Sequence, residues 1–406
     1  MTSAYSTEAI FLATGILLAL TVLAGTVSSR FGFPAILGFL ALGMLAGSDG
    51  PGGIGFDDYA LAQTASVACL IFILFSGGLD TDWRKVRASA AAAMSLATVG
   101  VIISAAIVAG ASIVILEFSL LQGILLGSVI ASTDAAAVFA ILRSLDMPLK
   151  HRVQSIIELE SGSNDPMAIF LVGGVLLLIA MPETSSLALI PSFGAQMAVG
   201  AVVGLGIGFG LPKVLHRIPL RVRGLALVVS IAAGLTAYGL AEILEGNGFL
   251  AAYLAGIAAA SRNYSGKQTV TIFQEGVAWL AQVAMFLILG LLVFPSQLPE
   301  VAFYGIAITL VLMFVARPAS VFIALLPFKM LGWREKLFIS WAGLRGAVPI
   351  VLATFPIVAG VPSAQTIFNV VFFVVLLSSA IQGPMLRWMA ERMGVLENGE
   401  ARAEDL

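Results

Sequence analysis

The chain has 406 residues, 59% of them hydrophobic and 11% charged, with a mean hydropathy of +1.03. Soluble domains carry roughly 25% charged residues, so a water-soluble globule is excluded. A formal net charge of -2 without a basic run gives no footing for nucleic acid, and a single cysteine, Cys69 in an apolar run, excludes an internal disulfide or a cysteine-ligated cluster.

In chain order, apolar runs bounded by charge, proline or glycine fall at roughly 9–28, 33–47, 60–79, 89–115, 120–142, 152–181, 189–215, 222–243, 247–261, 270–294, 300–327, 337–358 and 364–390. No basic residue precedes the first run, which argues against a cleaved signal peptide. Lysine and arginine collect in alternate loops: Arg30; Arg84, Lys85 and Arg87; Arg143, Lys150 and Arg152; Lys213, Arg217, Arg221 and Arg223; Arg262 and Lys267; Lys329, Arg334 and Lys336; Arg387, Arg392 and Arg402. The other loops carry acids such as Asp49, Asp57, Asp58, Glu117, Glu183, Glu245 and Glu300. One missed or invented span would break this alternation. The positive-inside rule therefore predicts thirteen transmembrane helices in a multi-pass cell (inner or plasma) membrane protein, N-terminus outside and C-terminus cytoplasmic. The tail at 393–406 is too short for a regulatory domain.

Run five holds Ser132, Thr133 and Asp134 near its centre, and run six holds ELESGSNDP before a continuous apolar stretch. Asp165 before Pro166 could cap a helix beginning there. Residues 166–181 alone rise only about 24 Å, short of the roughly 30 Å hydrocarbon core, so the span is expected to start earlier and take Asp165 inside. Ser161 and Asp165 then share one face, a hydroxyl and a carboxylate suited to a small cation, while Glu160 and Asn164 share the neighbouring face.

Arg345, Gly346 and Pro349 interrupt run twelve, and neither half of that run can cross alone. Runs five and twelve point in opposite directions. Paired interrupted helices in inverted halves mark a transporter site at the midplane. Arg345 is expected to pair with Glu160 and Asn164, whereas Arg317, the other arginine inside a run, suits a structural partner in the core. The glycines of 200–210 read as helix packing rather than a phosphate loop, and His151 and His216 as solvated residues at span ends.

The strings ASTDAAAVFAILR, ELESGSNDPMAIF, VARPASV and WAGLRGAVPIVLATFP together resemble the NhaP-type monovalent cation:proton antiporters, the second and fourth most of all the potassium/proton branch often called CvrA. The resemblance implies an all-α, NhaA/NhaP-like fold of inverted repeats with discontinuous crossing helices in spans five and twelve. It implies a homodimer in the lipid bilayer, with dimer scaffold at 1–83 and 186–296 and a core transport domain at 84–185 and 297–392. Asp165 matches the exchanging carboxylate; Asp134, Ser161 and Thr133 match accessory ligands of the monovalent cation; Glu160, Arg345 and Asn164 match the ion pair and its support. Two departures stand out: Ser76 in LFSGGLD occupies a place where some relatives carry an acid, and the cytoplasmic domain of longer members has no counterpart in these 406 residues, as expected either of a tailless member or of a trimmed chain.

The expected function is proton exchange for K+ or Na+, electroneutral, with both ions competing for Asp165, and with no cofactor and no soluble partner. A cation channel is the alternative. An intramembrane enzyme would need an HExxH pattern or a serine/histidine pair at depth, neither of which the sequence offers.

Overall fold

In lipid every backbone N–H and C=O must be paired within the protein, so long apolar runs have helices as their solution unless they close a barrel. The computed structural model describes residues 6–30, 33–145, 147–183, 185–217, 223–264 and 266–397. Among these the chain is helical, with two isolated bridges and no strand. The expected residues Arg221 and Arg402, and the tail beyond 397, lie outside the described residues.

The helices are α1 (Thr7–Arg30), α2 (Ala35–Ala46), α3 (Tyr59–Asp80), α4 (Trp83–Val86), α5 (Ala90–Ser95), α6 (Val101–Leu116), α7 (Leu120–Val129), α8 (Ala135–Ser144), α9 (His151–Ala180), α10 (Leu189–Arg217), α11 (Arg223–Ile243), α12 (Gly248–Ala260), α13 (Lys267–Leu291), α14 (Leu298–Val311), α15 (Arg317–Ala324), α16 (Trp333–Trp341), α17 (Ala347–Val358) and α18 (Ala364–Met393). Nine stretches of the described residues are helical, long and apolar enough to cross a membrane, and four shorter apolar helices accompany them: α2, α7, α12 and α17. The chain is a multi-pass membrane protein. Helix occupies every one of the thirteen expected runs, with breaks inside runs five and twelve.

Without a strong hydrophobic drive between helices in lipid, close backbone approach holds them together. Gly200, Gly204 and Gly208 of α10 face α12 so tightly that a Cβ on each would lie 2.4–2.5 Å from the carbonyl oxygens of Asn247, Ala251 and Ala255. On the other side of α12, Gly256 meets the Phe75 carbonyl of α3 in the same way. The glycine stripe at 200–210 is thus a packing surface, and α12 is clamped between α10 and α3.

Two π turns, Leu96–Gly100 and Leu312–Ala316, interrupt the helices of runs four and eleven. The second ends at Arg317, which begins α15 fully enclosed in the core. After α18, Val395 and Glu397 pair with the loop before α9: the Lys150 N–H donates to the Val395 carbonyl and the Glu397 N–H to the Pro148 carbonyl.

Candidate functional site

Helix α9 runs unbroken through Pro166, so Asp165 lies in mid-helix and not at a cap. Length decides this outcome, since a helix starting at Pro166 would be too short to span.

The chain opens between α7 and α8 at residues 130–134, and between α16 and α17 at residues 342–346. The two openings meet. The Asp134 N–H donates to the Leu344 carbonyl at 2.8 Å, and Arg345 Nη1 donates to the carbonyls of Ala131 at 2.8 Å and Ser132 at 2.5 Å. Arg345 thus places its charge on carbonyls just past the C-terminal end of α7, where the helix dipole is negative. Asp134 caps the start of α8, its Oδ1 accepting from the Ala137 N–H at 3.2 Å, where the dipole is positive. Gly346 has no room for a side chain: a Cβ there would lie 2.1 Å from Asp134 Oδ2.

Helix α18 completes the second opening. The Arg345 N–H donates to Ser378 Oγ at 3.2 Å, Ser379 Oγ donates to the Arg345 carbonyl at 3.2 Å, and Gln382 Nε2 donates to the Trp341 carbonyl at 2.9 Å. Buried backbone freed by a helix break must find such partners.

The groups expected on α9 converge on the first opening. Ser161 Oγ donates to the Thr133 carbonyl at 2.9 Å and accepts from the Ala135 N–H at 3.0 Å. Asn164 Nδ2 donates to Thr133 Oγ1 at 2.6 Å. Asp165 Oδ1 accepts from Ser132 Oγ at 2.5 Å. The carboxylate takes the Ser132 hydroxyl, which is not among the expected ligands, while Thr133, expected as an accessory ligand, bonds to Asn164 and Ser161. The α9 residues reach different sides of the opening, and only the fold assigns them.

The expected pairing of Glu160 with Arg345 is not what forms. Glu160 Oε1 lies 2.6 Å from Arg317 Nη1, both side chains being enclosed, and this is the one buried ion pair among the described residues. Two features explain it. The π turn before Arg317 brings its side chain inward, and Gly343 leaves the space, since a Cβ there would lie 2.3 Å from Arg317 Nε. Arg345 meanwhile finds carbonyls. The expected bond between Asn164 and Arg345 is also absent: Asn164 Nδ2 donates to Thr133 Oγ1, and the Arg345 guanidinium goes to the carbonyls of Ala131 and Ser132. The sequence signal for Arg317 was its depth within run eleven, equal in kind to that of Arg345.

A cavity of about 380 Å³ reaches this junction and is lined by Ser132, Thr133, Asp134, Ser161 and Asp165. Ser76, at the position that departs from some relatives, and Tyr253 of α12 complete its wall. Its exposed rim includes Asp80, Arg143, Gln154 and Glu275, all beside the basic loops. Glu160, Asn164 and Arg345 are not in the lining. Hydroxyl, carbonyl and carboxylate oxygens of this kind suit a hard cation, and no group of three or more metal-binding acids, histidines or cysteines occurs among the described residues.

The comparisons agree with this architecture. The chain is 42% identical over 383 residues to a K(+)/H(+) antiporter NhaP2 of Shewanella oneidensis, covering 94% of this chain and 66% of the relative. It is 41% identical over 379 residues to a K(+)/H(+) antiporter NhaP of Alkalimonas amylolytica, covering 92% and 66%. The chain therefore spans just under two thirds of the length of these relatives. Its fold matches the solved structure of the sodium proton antiporter MjNhaP1 of Methanocaldococcus jannaschii with a TM-score of 0.75 at 23% identity, over 92% of this chain and 99% of that one. The family model for the transmembrane part of sodium/hydrogen exchangers matches residues 16–392, and the chain belongs to that family.

Proposed function

We propose that the chain is a secondary active antiporter that exchanges protons for a monovalent cation, with Asp165 as the carboxylate for which the two ions compete. The observation that carries this reading is the placement of Asp165: enclosed in mid-helix, hydrogen-bonded to Ser132, and on the wall of a cavity whose rim is exposed. A buried carboxylate is costly to leave charged without a counter-ion. A proton or a bound cation each removes that cost, and occupation by one excludes the other.

Asp134, Ser161 and Thr133 are the accessory oxygens in this proposal; Asn164 holds the Thr133 side chain, and Arg345 the unwound backbone. Glu160 is neutralised by Arg317. Potassium is the first candidate cation, because the relatives at 41–42% identity carry it in their names; sodium is the second. Exchange of one proton for one cation, and therefore electroneutral transport, follows if Asp165 alone titrates.

The proposed motion is alternating access. Spans four to six and eleven to thirteen move as a core block against a scaffold of the remaining spans, which also forms a homodimer. With thirteen spans, the N-terminus lies outside and the basic loops in the cytoplasm. The cavity then faces the cytoplasm.

A proton-flux assay in everted vesicles or proteoliposomes, comparing sodium, lithium, potassium and rubidium, tests the reading. Cation-driven proton movement by the wild type and its loss in a folded Asp165→Asn variant are the expected results. Exchange that persists in Asp165→Asn would remove Asp165 from the mechanism, and cation conductance without proton countermovement would make the protein a channel.

A further inference from the structure

The proposed exchange gives Tyr253 no part, yet it is the residue that α12 contributes to the cavity wall. Its side chain is enclosed, with 4% exposure, and its hydroxyl faces the Thr81 hydroxyl just past the end of α3 without a hydrogen bond of normal length and angle. A buried hydroxyl so poorly paired is disfavoured, so a residue held this way is suited to a partner that comes and goes.

Its position fits that role. The phenol ring lies on the backbone of α9 at Gly162, where a Cβ would fall 2.3 Å from Tyr253 Cζ and 2.6 Å from the hydroxyl oxygen. Gly162 is one residue from Ser161 and three from Asp165. The ring is therefore pressed on the turn of α9 that carries both. The same turn lacks one helical hydrogen bond, because Pro166 has no N–H to give to the Gly162 carbonyl.

Tyr253 also differs from the other oxygen groups in what it is anchored to. Ser132 and Thr133 lie in the opening between α7 and α8 and are hydrogen-bonded to Asp165 and Ser161 of α9, and Asp134 caps α8 beside them. Tyr253 belongs to α12, clamped by glycine contacts to α10 and α3. A displacement of α9 along α12 would carry the first set together and leave the phenol behind, and glycine at 162 presents the ring with a surface free of side chain.

We propose that the Tyr253 hydroxyl is an oxygen ligand for the transported monovalent cation, offered only while the cavity is open at the basic-loop face, so that it sets cation affinity on that face and not on the other. This rests on reading the cavity as the exchange site. A contact made in one of two states changes affinity in that state and the balance between the states, and leaves affinity in the other state untouched.

The test is Tyr253→Phe, which removes the hydroxyl and keeps the ring. Half-saturating potassium and sodium concentrations are measured from each face, in everted and in right-side-out vesicles, with Asp165→Asn in parallel. The expected result is an increase of about three- to tenfold from the basic-loop face and none from the opposite face. No change from either face, or an equal increase from both, would overturn the proposal. Potassium-dependent thermal protection of the purified variant gives a second reading of the same loss, which should be weaker protection than in the wild type; undiminished protection also counts against the ligand role. Persistent exchange in Asp165→Asn would by itself refute Asp165 as the exchanging carboxylate, while the comparison of the two faces would still decide the role of Tyr253.

Discussion

The ion pair of Glu160 with Arg317 offers the sharpest energetic test of the core. At 2.6 Å and almost without exposure, the attraction is about 6 kcal/mol at an effective dielectric constant near 20, opposed by desolvation of both groups. Removing one partner strands the other. Arg317 has little else to turn to: its Nη2 reaches the Ile339 carbonyl only at 3.5 Å, and its Nε has no partner. Glu160→Ala is therefore expected to cost about 3–5 kcal/mol. For a chain of this length that corresponds to roughly 4–6 °C in the thermal midpoint, taking the entropy of unfolding as proportional to length. Arg317→Ala should cost a similar amount, and the double variant much less than the sum, with a coupling of about 2 kcal/mol or more. Midpoints are compared at one scan rate, by loss of the monodisperse peak of a fluorescent fusion, because unfolding from detergent is rarely reversible. The cycle of Glu160→Ala with Arg345→Ala is the control. Its coupling should be less than half as large, because Arg345 bonds to carbonyls and not to Glu160. Strict additivity of Glu160→Ala and Arg317→Ala, or a larger coupling of Glu160 to Arg345, would refute the assignment.

Gly346→Ala puts a methyl group where Asp134 Oδ2 now lies, so exchange is expected to fall at least about tenfold while folded yield is retained; normal flux in this variant would take Asp134 out of the site. Thr133→Val keeps the shape but leaves the Asn164 amide without its acceptor, at about 1–3 kcal/mol, visible as a lower thermal midpoint; a variant as stable as wild type would show that this bond contributes nothing. With Cys69 replaced, single cysteines at 48–58 and 182–188 should react with an impermeant reagent from outside, and those at 84–87 and 213–223 should not; the reverse pattern would invert the proposed topology. The electrical prediction is that reversal of exchange follows the cation and proton gradients alone, unmoved by an imposed voltage, and a shift expected for two protons per cation would mean that Asp134 titrates as well.

Much of this arrangement was legible because membrane physics leaves the sequence few alternatives. Apolar length and basic alternation located the helices, and the inadequacy of 166–181 as a span placed Asp165 in mid-helix. The two openings were visible as polar or glycine-rich residues where continuous helix would be expected. What the sequence does not encode locally is which buried groups become neighbours. Arg317 and Arg345 both lie deep in their runs, and their partners depend on a π turn and on the space at Gly343. Ser132 and Thr133 are adjacent, and only the geometry of the opening gives the first to Asp165 and the second to Asn164. Tyr253 gave no signal at all, since an aromatic residue in an apolar helix reads as packing until it is seen on the cavity wall with its hydroxyl poorly paired.

The corrected pairing strengthens the case for Asp165 as the exchanging group, because it changes how the core charges are met. If Arg345 neutralised Glu160, Arg317 would be left as a buried charge without a carboxylate. With Glu160 on Arg317, that demand is met. Arg345 meets the carbonyls beyond the end of α7, and Asp134 the N–H groups at the start of α8. Each of these charges has a fixed opposite, built either from a side chain or from a helix end. Among the described residues Asp165 has no cationic side chain within ion-pair distance, and it opens on a cavity. A carboxylate so placed is neutral only when a mobile positive charge occupies it, and a proton and an alkali cation are the two that can arrive through a polar cavity of this kind.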